Sequence, residues 1–117
     1  MKKIFSAFEI ATVCHEANRQ LTRLIGDVPV QPAWDEEDPS IRNSCVRGVE
    51  FNLANPDAPP SASHDNWLKQ KIEDGWTLGP VKDIEKKTHP AMVPYGDLPD
   101  AVKRKDALFK NIVSALR

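Results

Sequence analysis

Ten prolines punctuate this 117-residue chain, and they constrain its fold more than any other feature. Proline lacks the amide proton that a helix interior or a central strand needs, and its ring clashes with the preceding turn. The prolines fall in three clusters, Pro29 to Pro39, Pro56 to Pro60 and Pro80 to Pro99. Long regular elements are confined to the stretches between them, and those stretches carry helical spacing. The expectation is a mainly α domain of about four helices, with a long ordered loop and a short two-stranded β element.

The first helix is expected from about Ser6 to Ile25, stopped by Gly26. At 100° per residue, Ile10, Val13, Cys14, Ala17, Leu21 and Leu24 share one face, a wide apolar stripe for a core. The opposite face gathers Phe8, Ala11, His15, Asn18, Arg19 and Thr22, where a plain solvated face would hold Lys and Glu. A second helix has Asp38 as N-cap and Pro39 in its first turn. Its stripe is Ile41, Cys45, Val49 and Leu53, and Asn55 before Pro56 ends it. Ser61 or Ser63 can cap a third helix with Leu68 and Ile72 inside, closed by Gly75 in the left-handed region. The interval from Trp76 to Pro99 contains four prolines and little periodicity. It reads as an ordered loop with strands at Trp76–Leu78 and Met92–Tyr95, and loops this long are often functional. A last helix runs from Pro99 to about Leu116, with Val102, Phe109, Ile112, Val113 and Leu116 as its stripe.

The length suits one domain, covering residues 1–117. A formal net charge of −1 offers no bulk attraction to nucleic acid or an acidic membrane, so neither is expected as a partner. Cys14 and Cys45 are far apart and form no CxxC, which points to reduced thiols rather than a disulfide scaffold. The start, Met1 to Phe5, has the charge of a signal-peptide n-region, but Glu9 interrupts the apolar run, and a cytoplasmic location is expected. No apolar stretch approaches 18 residues.

The segment from His64 to Asp100 carries a family signal. It contains His64-Asp65-x-Trp67, Lys71, Gly75-Trp76-x-x-Gly79-Pro80-x-x-Asp83, Lys87-x-His89-Pro90-x-x-Val93-Pro94-Tyr95 and Leu98-Pro99. This order of rare residues resembles the ryanodine-receptor repeat, which occurs as tandem pairs in large intracellular calcium-release channels. The earlier Cys14-His15-Glu16-x-Asn18-Arg19 and Asn55-Pro56-Asp57-Ala58 look like free-standing one-domain versions from bacteria and their phages. The resemblance implies a mainly helical fold with a short two-stranded element. It also implies binding of an adenine nucleotide in a cleft between paired repeats, and the sensing of nucleotide-derived signals by free-standing versions. One copy is present here, so a between-repeat site would need two chains to pair as a homodimer.

The candidate ligand-binding residues are His15, Asn18, Arg19, Trp67, Lys71, Trp76, Lys82, Lys86 and Tyr95. Aromatic rings offer faces on which a base can stack. Arg offers a bidentate fork for phosphate and Lys a mobile point charge. Each also has a structural reading. Trp76 can fill the core beside a turn at Gly79-Pro80, and Trp67 can cover the edge of the core. The run from Lys82 to His89 can be a solvated loop, and His15 with Asn18 can tie a loop to the first helix. Neither GxxxxGK[ST] nor GxGxxG is present, so a phosphate site would be assembled from side chains. His15, His64 and His89 lack metal-ligand spacing, and no catalytic motif appears, so neither metal, cofactor nor catalytic residue is expected. The leading expectation is a non-enzymatic binding module for an adenine-nucleotide-like or ADP-ribose-like molecule. Alternatives are a protein-interaction module using Phe8, Ala11 and His15, and a hydrolase of a nucleotide second messenger.

Overall fold

A computed structural model describes residues 4–27 and 29–117. The charged start, Met1 to Lys3, lies outside them. Four helices form: α1 (Ala7–Leu24), α2 (Pro39–Ala54), α3 (Pro60–Glu73) and α4 (Asp100–Leu116). Between α3 and α4 come two strands, β1 (Thr77–Leu78) and β2 (Thr88–His89). Short 3-10 turns at Trp34–Glu36 and Tyr95–Asp97 complete the order. The fold class is the one expected.

Local chemistry explains the helix ends. Ser6 and Glu9 make a reciprocal capping box at the start of α1, satisfying two amides that have no partner inside the helix. Asp38 accepts from the Ser40 amide to start α2, with Pro39 behind it. Gly26 and Gly75 follow α1 and α3 with φ of +70° and +88°, backbone that a side chain disfavours. The expected cap of α3 by Ser61 or Ser63 does not form. Pro59 is the N-cap, Pro60 begins the helix, and no side chain caps it. The Ser63 hydroxyl instead accepts from Asn52 Nδ2 at 3.2 Å, tying α3 to α2.

The core lies where α1, α2 and α4 meet. Ile10, Ala11, Cys14, Val49 and Val113 are fully buried there, with Trp34 closing one side. Phe109, Ile112, Leu116, Cys45 and Leu53 pack around them, as their stripes predict. Two stripes are rotated from expectation. On α1, Val13 is 46 % and Leu24 84 % exposed, whereas Ala11, His15 and Thr22 are buried. The reason is a second contact: segment 31–37 lies along that side, so α1 is covered from two directions. On α3, Ile72 is 61 % exposed and Leu68 half-buried, whereas His64 and Lys71 are each 4 % exposed. Helix α3 packs on α2 and α4 and turns its polar and aromatic side toward the loop that follows it.

That loop departs from expectation in its second strand. β1 is near the predicted place, but its partner is Thr88–His89, paired in parallel as Thr77 with Thr88 and Leu78 with His89. Residues 92–94 are instead irregular, with a bend at Val93, and Tyr95 starts a 3-10 turn, because Pro94 removes an amide and the Val93 amide already bonds the Ala91 carbonyl. Parallel strands ordinarily need a long crossover. Residues 79–87 manage it by folding back, with Asp83 and Thr88 exchanging backbone hydrogen bonds at 3.0 and 3.1 Å. A Cβ on Gly79 would lie 2.6 Å from Thr88 Cβ, so only glycine fits there.

Candidate functional site

Helix α3 sets the geometry. His64, Trp67 and Lys71 recur at helical spacing and so lie along one side. The His64 ring stacks on Trp67 at 5.5 Å, and Trp67 meets His89 edge-on at 4.9 Å. His64 Nε2 donates to the Val93 carbonyl at 2.7 Å, because a carbonyl can only accept. His89 Nδ1 accepts from the Ala91 amide at 3.0 Å. These bonds pin the loop to α3 and account for the His89-Pro90 and His64-x-x-Trp67 parts of the motif. Burial, reinforced by Lys82, Lys71 and His64, pushes the His89 pKa down to about 4. Its ring is neutral at neutral pH.

One turn beyond Trp67, Lys71 places its ammonium 4.4 Å from the centre of the buried Trp76 ring. Among the described residues it has no hydrogen bond and no carboxylate within ion-pair distance. Burial, with Lys82 next, drives its pKa down to about 8, while Asp74 and Asp38 pull the other way. Lys82, from the loop, is likewise half-buried with no bonded partner among the described residues, and burial lowers its pKa against the pull of Glu37 and Asp38. Lysine is almost never buried unless it is paired. Lys71, Lys82 and neutral His89 thus make a cationic, partly desolvated cluster.

Of these three, Lys71 lines a groove of about 600 Å³ between α2 and the end of α3. Ser40, Asn43, Arg47 and Glu50 line one wall, and Lys71, Asp74, Trp76 and Lys87 the other. Arg47 Nη2 spans to Asp74 at 2.9 Å, and its Nε is buried without a partner. Lys87 Nζ donates to the Asp74 carbonyl at 2.9 Å, held by a backbone at φ +54°.

The structure brings together four of the nine candidates, Trp67, Lys71, Trp76 and Lys82. Tyr95 stands at the far end of the aromatic run, 6.2 Å from His64, with Lys103 over its ring at 5.2 Å. Lys86 is exposed, and its amide bonds Asp83. His15 and Arg19 face segment 31–37 instead, and Asn18 Oδ1 is buried without a hydrogen bond among the described residues. His15 Nε2 lies 2.9 Å from the Pro32 carbonyl and 3.6 Å from Glu37. Arg19 Nε donates to the Gln31 carbonyl, and its Nη1 grips Glu16 at 2.9 Å. Glu37 links His15 to the cluster, since its buried carboxylate also acts on Lys82. That face of α1 is covered by the chain itself, Trp34 lying 5.4 Å from both Phe8 and His15.

Sequence reasoning missed Arg47, Lys87, His64 and His89 as neighbours of the site. The motif contains the last three, but only the parallel strand pair aligns Lys87 and His89 with Trp76. The α4 carboxyl of Asp106 was also missed. Burial raises its pKa, with His64 opposing. The thiols of Cys14 and Cys45 are pushed up to about 12, by burial first, and are poor nucleophiles. Among the described residues no three His, Cys, Asp or Glu side chains come together as a metal-ion set.

Compared with known families, residues 58–116 match the model of the RyR domain. The match takes in α3, the loop with both strands and all of α4, which is where the aromatic run and the two unpaired lysines reside.

Proposed function

The chain belongs to the RyR domain family, and from that premise we propose that it is a non-enzymatic binding module for an anionic, adenine-nucleotide-like or ADP-ribose-like molecule. One observation carries this reading. Lys71 is a buried side chain whose ammonium has no counter-ion among the described residues, beside a second unpaired lysine and at the wall of an open groove. A phosphate entering there would meet Lys71, the Arg47 guanidinium edge and Lys87. It would be held by charge-assisted hydrogen bonds in partly desolvated surroundings. Trp76 is 5 % exposed and serves as the floor beneath the cation. In the cytoplasm of a bacterial or phage-infected cell, such a module would sense or sequester a nucleotide signal.

The test is a thermal-shift series with adenine nucleotides, ADP-ribose and cyclic nucleotides. A ligand at 100 times its dissociation constant adds about 2.7 kcal/mol to the folded state. That is a rise of several degrees for a domain of this size. The double variant Lys82→Ala/Lys87→Ala should lose the shift while keeping its own melt within a few degrees. No shift in the wild-type protein at millimolar ligand would refute the reading.

A second reading, a protein-interaction module, is favoured by Leu68 and Ile72. They form a shallow apolar depression on α3 with Asp65, Lys69 and Glu73. A concentration-dependent mass in sedimentation, without any ligand response, would select it.

A further inference from the structure

The Lys71 side chain is unusual in more than its charge. Its amine is held over the Trp76 ring and among the cations Lys82 and Arg47, and no described carboxylate or carbonyl bonds it. The one acidic side chain beside it on the same helix end, Asp74, is engaged by Arg47, and the Asp74 carbonyl by Lys87. We propose that Lys71 is a nucleophilic amine that captures an anionic aldehyde in the α2–α3 groove as an imine.

Three features combine. Neighbouring positive charge and burial favour the neutral amine, which has the lone pair that attacks a carbonyl carbon. The groove brings a carbonyl compound to that lone pair, since Lys71 lines it. Lys87 and Arg47 on the walls supply the attraction for an anionic substituent on the same molecule. The groups facing Lys71 are Asp38, Arg47 and Glu50 from the α2 side, Asp74 from α3, and Lys82 and Lys87 from the loop. Burial first, then Lys82 and Arg47 against the pull of Asp74 and Asp38, lowers its pKa to about 8. About a tenth of the amine is then free base at pH 7, against well under a thousandth for an ordinary lysine. The amine nitrogen bonds the aldehyde carbon, the oxygen takes up a proton, and the carbinolamine loses water. The products are the imine and one water, with no oxidation or reduction.

This goes beyond reversible nucleotide binding, and its test separates the two. The folded chain is treated with a substoichiometric amount of pyridoxal 5′-phosphate, an aldehyde bearing a phosphate. The adduct is fixed with borohydride and located by peptide mapping. The expected result is label concentrated on Lys71, formed at a rate that rises through pH 8 and is several-fold slower with unphosphorylated pyridoxal. Lys71→Arg should leave the circular dichroism unchanged and abolish the label. Label spread over exposed Lys69 and Lys86, or found on Lys87 in place of Lys71, overturns the inference. So does equal labelling by pyridoxal. Nucleotide-induced melt shifts without any Lys71 adduct would also overturn it, while leaving the nucleotide reading intact.

Discussion

Where α1, α2 and α4 meet, the contacts are made by Ile10, Ala11, Cys14, Val49 and Val113, none more than 1 % exposed. Where α3 meets the loop after it, they are made by His64, Trp67, Lys71, Trp76, His89 and Tyr95. The first region is held by apolar area removed from water, which is strong and indifferent to direction. The second has only two-residue strands, so side chains supply the bonds a ladder would. His64 donates to Val93, His89 accepts from Ala91, Thr88 donates to Val81 and Lys87 donates to Asp74. Such bonds add about 1 kcal/mol each but dictate shape. The contrast teaches that stability and function are segregated here. The apolar half holds the domain together, and the polar half shapes a surface and keeps two cations underpaired on it.

The comparison breaks most visibly in the core. Ile10→Ala should destabilise the whole domain by about 2–5 kcal/mol, read as a lower denaturant midpoint with every probe shifting together. Should the α3–loop half keep its own transition, the two regions would be independent folding units. Gly79→Val sharpens the other side. Its side chain would intrude on Thr88, costing about 1–3 kcal/mol. The loss should fall mainly on amide-exchange protection at Thr77, Gly79 and Thr88.

Lys71→Met should run opposite to the core substitution, raising stability by about 1 kcal/mol as a buried, underpaired charge is removed. Its pH dependence identifies the cause. The folded pKa of about 8 lies below the ordinary 10.5, so between those values the unfolded chain binds more protons and the wild type gains stability as pH rises. The advantage of the Met variant should therefore be greatest below pH 8 and shrink toward pH 10.5. On the acid side, His89 titrates at about 4 when folded and 6.5 when unfolded. The stability it contributes is complete above pH 6.5 and is lost as pH falls to 4. His89→Gln should flatten that part of the profile. The smallest effect belongs to Arg47 and Asp74, both about 41 % exposed. A double-mutant cycle should give a coupling of about 0.5 kcal/mol, reduced by salt.

Local chemistry was legible in the chain before it folded. The prolines, the Asp38-Pro39 start and the glycines at 26 and 75 determined where helices begin and end, because caps and backbone limits act within a few residues. The rare-residue order from His64 to Pro99 identified the family for the same reason: each piece is a turn, a close approach or a pinned ring. Periodicity also placed Trp67 beside Lys71. Which side of α1 and α3 faces inward was not legible. Periodicity ranks faces by hydrophobicity, whereas the fold covers α1 from two sides and turns α3 toward a polar loop. The partner of β1, and with it the arrival of Lys87 and His89 beside Lys71 and Trp76, was decided only by the tertiary structure. A two-residue strand leaves no periodic trace, and its register is set by Gly79 lying against Thr88.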